Sequence, residues 1–131
     1  MRTKIGGIEF DIAFTVEAQK KVEEKFGGMD KHHIEQIFDT TDREKFFDNM
    51  MFMAATLINA GNHREAVRRM AVGEKYETRE SVTQEQIEGL ATPGEVPELE
   101  RAIIMAIREG NKITMEVEPE KTKNAEATRS E

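Results

Sequence analysis

The three histidines are the residues best suited to chemistry in this 131-residue chain, and their spacing argues against it. His32 and His33 are adjacent, so on a helix their rings point about 100° apart and do not converge on one ion. His63 can join either of them only through the fold. No cysteine is present to supply a thiolate, and no zinc-like spacing occurs. Surface or capping roles are expected for all three. Nucleophilic catalysis fares no better: Ser81 and Ser130 are the only serines, and neither sits in an elbow or glycine-rich context. Asp and Glu total 26, so carboxylate pairs at helical spacing arise by chance and read as solvated helix faces. Gly6-Gly7 and Gly27-Gly28 lack the spaced glycines and Lys-Ser/Thr ending of a phosphate loop, and read as a turn and a cap. Arg64, Arg68 and Arg69 form a basic cluster that reads as a solvated face able to meet an acidic partner. These residues predict no catalytic site, no metal and no cofactor. They direct the reading toward binding.

Composition narrows the partners. The formal net charge is -7 and the pI near 5.1, so nucleic acid and anionic membranes would repel the chain. Without cysteine there are no disulfides, which is compatible with a reducing cytosol. The start, MRTKIGGIEF, lacks the apolar core of a signal peptide, and the strongest apolar run, residues 50–58, is too short to span a bilayer. A soluble, acidic, cytoplasmic protein is expected, with one globular domain over residues 1–117. The polar stretch 118–131 is expected to be disordered, since it has no apolar anchor beyond alanine.

The elements that would position any site follow from periodicity. Ile8, Phe10, Ile12 and Phe14 alternate with Glu9, Asp11 and Ala13, which predicts a half-buried strand. With Gly6-Gly7 as the turn, a hairpin over residues 2–14 is expected, packed on helices or on a third strand. Thr15 caps a helix over 16–26 ended by Gly27-Gly28, and Asp30 caps a short one over 31–38. Thr41 and Glu44 read as a capping box that opens the most apolar helix, 42–60, with Gly61 as its stop. Phe46, Phe47, Met50, Met51, Ala54, Leu57 and Ile58 share one face of it, which predicts the central core helix. A basic helix over 62–72 follows, then a charged loop.

Thr83 and Gln86 read as a second capping box, opening a helix over 84–90. Thr92-Pro93 then opens a helix over 93–109 with Gly110 as its stop. Its inward face is Val96, Leu99, Ala102, Ile103, Ala106 and Ile107. Ile113, Met115 and Val117 alternate with polar residues, which predicts a short strand over 112–117. The fold class is therefore α+β, predominantly helical, with an N-terminal hairpin packed on about five helices.

Two side chains break the pattern of their helices. Phe52 projects among Asp48, Asn49, Thr56 and Asn59, and Met105 lies between Arg101 and Arg108, with Ile104 at the edge of the inward face. Either another part of the chain covers them or they belong to a partner-binding surface. Methionine suits the latter because its flexible, polarizable side chain adapts to different shapes. Phe52, Ile104 and Met105 are the candidate partner-binding residues.

Four segments in order, IEFDIAFTVEAQKKVEEKFGG, IEQIFD, FFDNMMFMAATLINAG and TQEQIEGLATPGEVPELERAIIMAIREG, resemble the tail assembly chaperones of long-tailed bacteriophages and their prophages. The resemblance covers about residues 4 to 110 and rests on order and spacing rather than on one motif. The basic insert HREAVRRM departs from it by its charge. The resemblance implies a non-enzymatic protein that keeps the tape measure protein soluble, helps recruit tail tube protein around it, and is absent from the finished virion. Many such chaperones are made in two lengths by ribosomal frameshifting, and self-association is open. Two other classes stand beside this one: a generic acidic helical adaptor or inhibitor protein, and a small enzyme whose site is assembled only by folding.

Overall fold

Gly6 and Gly7 both have positive φ, 58° and 82°, the backbone that a two-residue hairpin turn requires and side chains resist. They join β1 (Arg2–Ile5) to β2 (Ile8–Asp11), paired antiparallel from Arg2 opposite Asp11 to Ile5 opposite Ile8. Thr3 and Ile5 turn inward and are buried, whereas Ile8 is half exposed. The buried stripe thus runs through Ile5, Ile12 and Phe14 rather than through the whole of β2. Strand pairing ends at Asp11, earlier than the expected residue 14. Residues 12–14 leave the hairpin and pass between helices.

The computed structural model describes residues 1–117, with side chains through Asn111, and shows an α+β fold that is predominantly helical. The expected tail over 118–131 lies outside the described residues. After the hairpin come α1 (Val16–Phe26), α2 (Lys31–Ile37), α3 (Arg43–Ala71), α4 (Gln84–Leu90), a 3-10 turn at Pro93–Glu95 and α5 (Val96–Val117).

Local capping explains several starts. The Thr15 hydroxyl accepts from the Ala18 N–H, and α1 ends on Gly27 in a left-handed conformation. Asp30 accepts from the His33 N–H, and Thr83 and Gln86 complete a reciprocal box at α4. The third helix starts differently from expectation. Asp42, not Thr41, is its cap, accepting from the Lys45 N–H, because Asp39 holds both the N–H and the hydroxyl of Thr41 at 2.9 Å.

Three expected boundaries are corrected. Residues 42–60 and 62–72 are not two helices but one, since α3 runs through Gly61 without a break. Gly110 likewise lies inside α5, and residues 112–117 continue that helix to Val117 instead of forming a strand. Neither glycine has positive φ, so neither is a stop. Gly73 is the stop for α3, with φ 93° and its N–H donating to Met70 O.

The mid-helix glycines serve close approach. A Cβ on Gly61 would stand 2.8 Å from Asp11 O, and one on Gly110 would collide with Phe14 O. The extended linker 11–14 therefore lies against α3 on one side and α5 on the other.

The core gathers around α3. Phe46, Met50, Met51, Met53, Ala54, Ala55, Leu57, Ile58 and Ala60 are all buried, joined by Ile5, Val22, Ile37, Ile87, Leu99 and Ile103. Burial extends beyond the single face read from periodicity because neighbours pack on several sides of this helix. Even Asn49 and Thr56 are buried, and Asn49 donates to the Ile37 carbonyl at the end of α2.

Candidate functional site

The three sequence-selected side chains separate into different environments. Phe52 is half-buried and packs edge-on against Phe26 of α1, ring centroids 5.7 Å apart, with Lys25 Nζ 5.3 Å from its ring. The end of α1 covers it. Ile104 is half-buried. Met105 is 49% exposed on the outer face of α5, where its neighbours Arg101 and Arg108 are exposed as well. Ile104, at the edge of the inward stripe, and Met105, opposite it, thus lie about 100° apart on one helix, and Phe52 stands apart from them under α1.

The inner face of α5 explains why Met105 is left outside. Val96, Leu99, Ile103, Ala106 and Ile107 are buried at the three- and four-residue spacing of a helix stripe. Met105 lies opposite that stripe, so packing the core turns it to solvent.

The polar candidates make local structural contacts. His33 Nδ1 lies 2.8 Å from Asp30 Oδ1, and its ring fills the space beside Gly28. The Asp30 carboxyl is held below its usual range, first by the His33 N–H and then by the His33 ring. His63 Nδ1 lies 3.2 Å from Glu17, bridging α3 to the start of α1. Arg69 Nε donates to Glu65 at 2.8 Å, which lowers the Glu65 carboxyl. Among the described residues, no three His, Asp or Glu are placed to hold a metal ion, and no helix is long and apolar enough to cross a membrane.

Sequence reading missed two features. The first is the carboxylate of Glu95, which accepts from the N–H of Thr92 at the turn before α5 and from the N–H of Gly6 in the hairpin turn, 2.9 Å away. One carboxylate thereby fastens the hairpin to the start of α5. Its pKa is lowered, chiefly by the Thr92 N–H and also by the Gly6 N–H. The Thr92-Glu95 spacing is a capping signature, but its reach to Gly6 depends on the fold.

The second is an open groove of about 260 Å³ between the first turns of α3 and the α4–α5 connection. Phe47, Met51, Ala91, Pro93 and Val96 line it, with Glu44, Asp48 and Glu88 at its edge. Its halves lie some forty residues apart in the chain, so no local pattern could reveal it. An apolar floor with a carboxylate rim suits an apolar side chain carried beside basic residues.

Compared with known protein families, curated proteins and solved structures, the chain matches none.

Proposed function

We propose that this chain is a non-enzymatic tail assembly chaperone of a long-tailed phage or prophage, acting in the cytoplasm of the bacterial host. It binds apolar helical segments of the tape measure protein and keeps them soluble while tail tube protein assembles around them. It then stays out of the finished virion. The observation that best supports this reading is the outer face of α5, where Met105 is exposed beside half-buried Ile104 although the inner face is fully engaged in the core. A client helix laid along that face would bury a flexible apolar side chain between two arginines. Such side chains contribute to binding by losing water at an interface.

Co-expression with the tape measure protein encoded beside this chain tests the reading. Wild-type protein should co-purify with it and keep it in the soluble fraction. Met105→Ser, folded as judged by circular dichroism, should recover several-fold less. Failure of the wild-type protein to retain that client would overturn the function. Full retention by the variant would remove the α5 face from it.

A further inference from the structure

Thr56 lies in the middle of α3 and is only 7% exposed, yet its hydroxyl has no hydrogen-bond partner among the described residues. A buried hydroxyl without a partner costs free energy, so native structures rarely leave one. A threonine inside a helix ordinarily bonds back to a carbonyl one turn earlier, and Thr56 makes no such bond. It lines a cavity of about 360 Å³ between α1, α3 and residues 78–81. Small residues make the room: Ala18 of α1 and Ala60 of α3, both buried, stand where longer side chains would close the gap. Asn59 sets the third wall, since its amide grips both backbone groups of Val82 and so holds the segment before it alongside α3.

The cavity is rich in donors. Lys21 of α1 and Arg79 line it, and neither is in an ion pair among the described residues. Asn62, Thr78 and Ser81 line it as well, and their side chains make no hydrogen bond among the described residues. Glu17 is the one carboxylate in the lining, and it is engaged by His63 Nδ1 at 3.2 Å. In a chain of net charge -7, two unpaired cations beside a buried, unpartnered hydroxyl suit an anion with several acceptor oxygens.

We propose that this cavity binds the phosphate group of a small molecule. Arg79 would meet it with a fork of donors and Lys21 with a compact charge. The hydroxyls of Thr56, Thr78 and Ser81 and the amide of Asn62 would donate to the remaining oxygens. A carboxylate fits less well, because it offers two oxygens where donors come from three walls. Small-molecule sites span roughly 300–1,000 Å³, so the cavity has room for a compact body beyond the phosphate.

Titration of the ¹⁵N-labelled full chain, in a buffer free of phosphate, tests this with inorganic phosphate, ribose 5-phosphate and ribose. Both phosphates should shift the Thr56, Asn62 and Ser81 amides saturably, and ribose should not. Tighter binding of ribose 5-phosphate than of phosphate assigns an organic ligand, and equal binding assigns the inorganic ion. Lys21→Gln/Arg79→Gln, at two exposed positions, should weaken either phosphate by about tenfold or more. Thr56→Val removes only the unpartnered hydroxyl. It should weaken binding several-fold without lowering the thermal midpoint, since no hydrogen bond within the protein is lost. Amides that neither phosphate shifts, equal shifts with ribose, or undiminished binding by either variant would each overturn the proposal.

Discussion

The N–H of Ala13 donates to the carbonyl of Leu57 at 3.1 Å, tying the chain that leaves the hairpin to the middle of the central helix. That bond needs two backbones in near contact, and Gly61, one turn along from Leu57, supplies the space. Asp11 O occupies the place where a Cβ on Gly61 would be, and Phe14 O does the same for Gly110 across the linker. Two glycines in two helices thus form the walls of the passage for residues 11–14.

This reverses the usual sign of a helix substitution. Gly→Ala inside a helix normally stabilises by about 0.5–1 kcal/mol. Gly61→Ala should instead destabilise by roughly 1–3 kcal/mol, since the added methyl must displace backbone. Gly89→Ala in α4 is the control, because a Cβ there meets nothing within 4 Å. Urea midpoints should move in opposite directions for the two variants. A gain from Gly61→Ala would show that the linker does not lie against α3.

Much of the fold was legible because its signals are local. Thr15, Asp30 and Thr83 cap the helices they were read to cap, and the α5 stripe from Val96 to Ile107 faces the core. Gly6-Gly7 and Gly27 are the turn and the cap that the sequence predicts, whereas Gly61 and Gly110 differ from the expected stops for a physical reason. A glycine that ends a helix and one that lets a neighbour approach look identical in sequence, and only φ or a third segment separates them. The α3 face was read too narrowly because periodicity assumes one wet side, whereas this helix is enclosed through Asn49 and Thr56. Phe52 stood out as an irregularity, but its partner Phe26 lies in another helix. The groove between the start of α3 and the α4–α5 connection was invisible for the same reason.

Asn59 holds the chain entering α4 by both polar atoms of its side chain. Its Nδ2 donates to Val82 O at 2.8 Å, and its Oδ1 accepts from the Val82 N–H at 2.9 Å. Asn59→Ala leaves both partly buried backbone groups without their partner, which should cost about 1–3 kcal/mol. Hydrogen exchange at the Val82 amide should accelerate markedly, and proteolysis should rise in the exposed segment 73–80. An unchanged Val82 exchange rate would show that Asn59 does not fasten this segment.

The Glu95 link predicts a pH dependence. Its folded pKa lies below the unfolded value, chiefly through the Thr92 N–H and also through the Gly6 N–H, so the folded state binds fewer protons at this site. The contribution is fully present above the unfolded pKa and is lost as pH falls through the folded value. The gap in urea midpoint between wild type and Glu95→Gln should therefore be largest near neutrality. It should narrow as pH drops below the unfolded glutamate value of about 4.3. A gap independent of pH would show that the charge of Glu95 is not what fastens the hairpin to α5.

Phe52 and Met105 should part company when each is replaced by serine. Phe52 is half-buried and meets Phe26 edge-on, so Phe52→Ser loses apolar burial and a ring contact together, about 2 kcal/mol or more. Met105 is exposed and makes no core contact, so Met105→Ser should stay within about 0.5 kcal/mol of wild type. Phe52→Leu, which keeps an apolar side chain against Phe26, should recover part of the loss. The order matters for reading any binding experiment: weakened client capture by Phe52→Ser at a temperature where the variant is partly unfolded reports on stability, whereas the same loss in Met105→Ser reports on a surface. Thermal melts of the three variants beside wild type decide between these. A Phe52→Ser melt coincident with wild type would mean that the Phe26 contact contributes little, and would return Phe52 to the set of surface residues free to meet a partner.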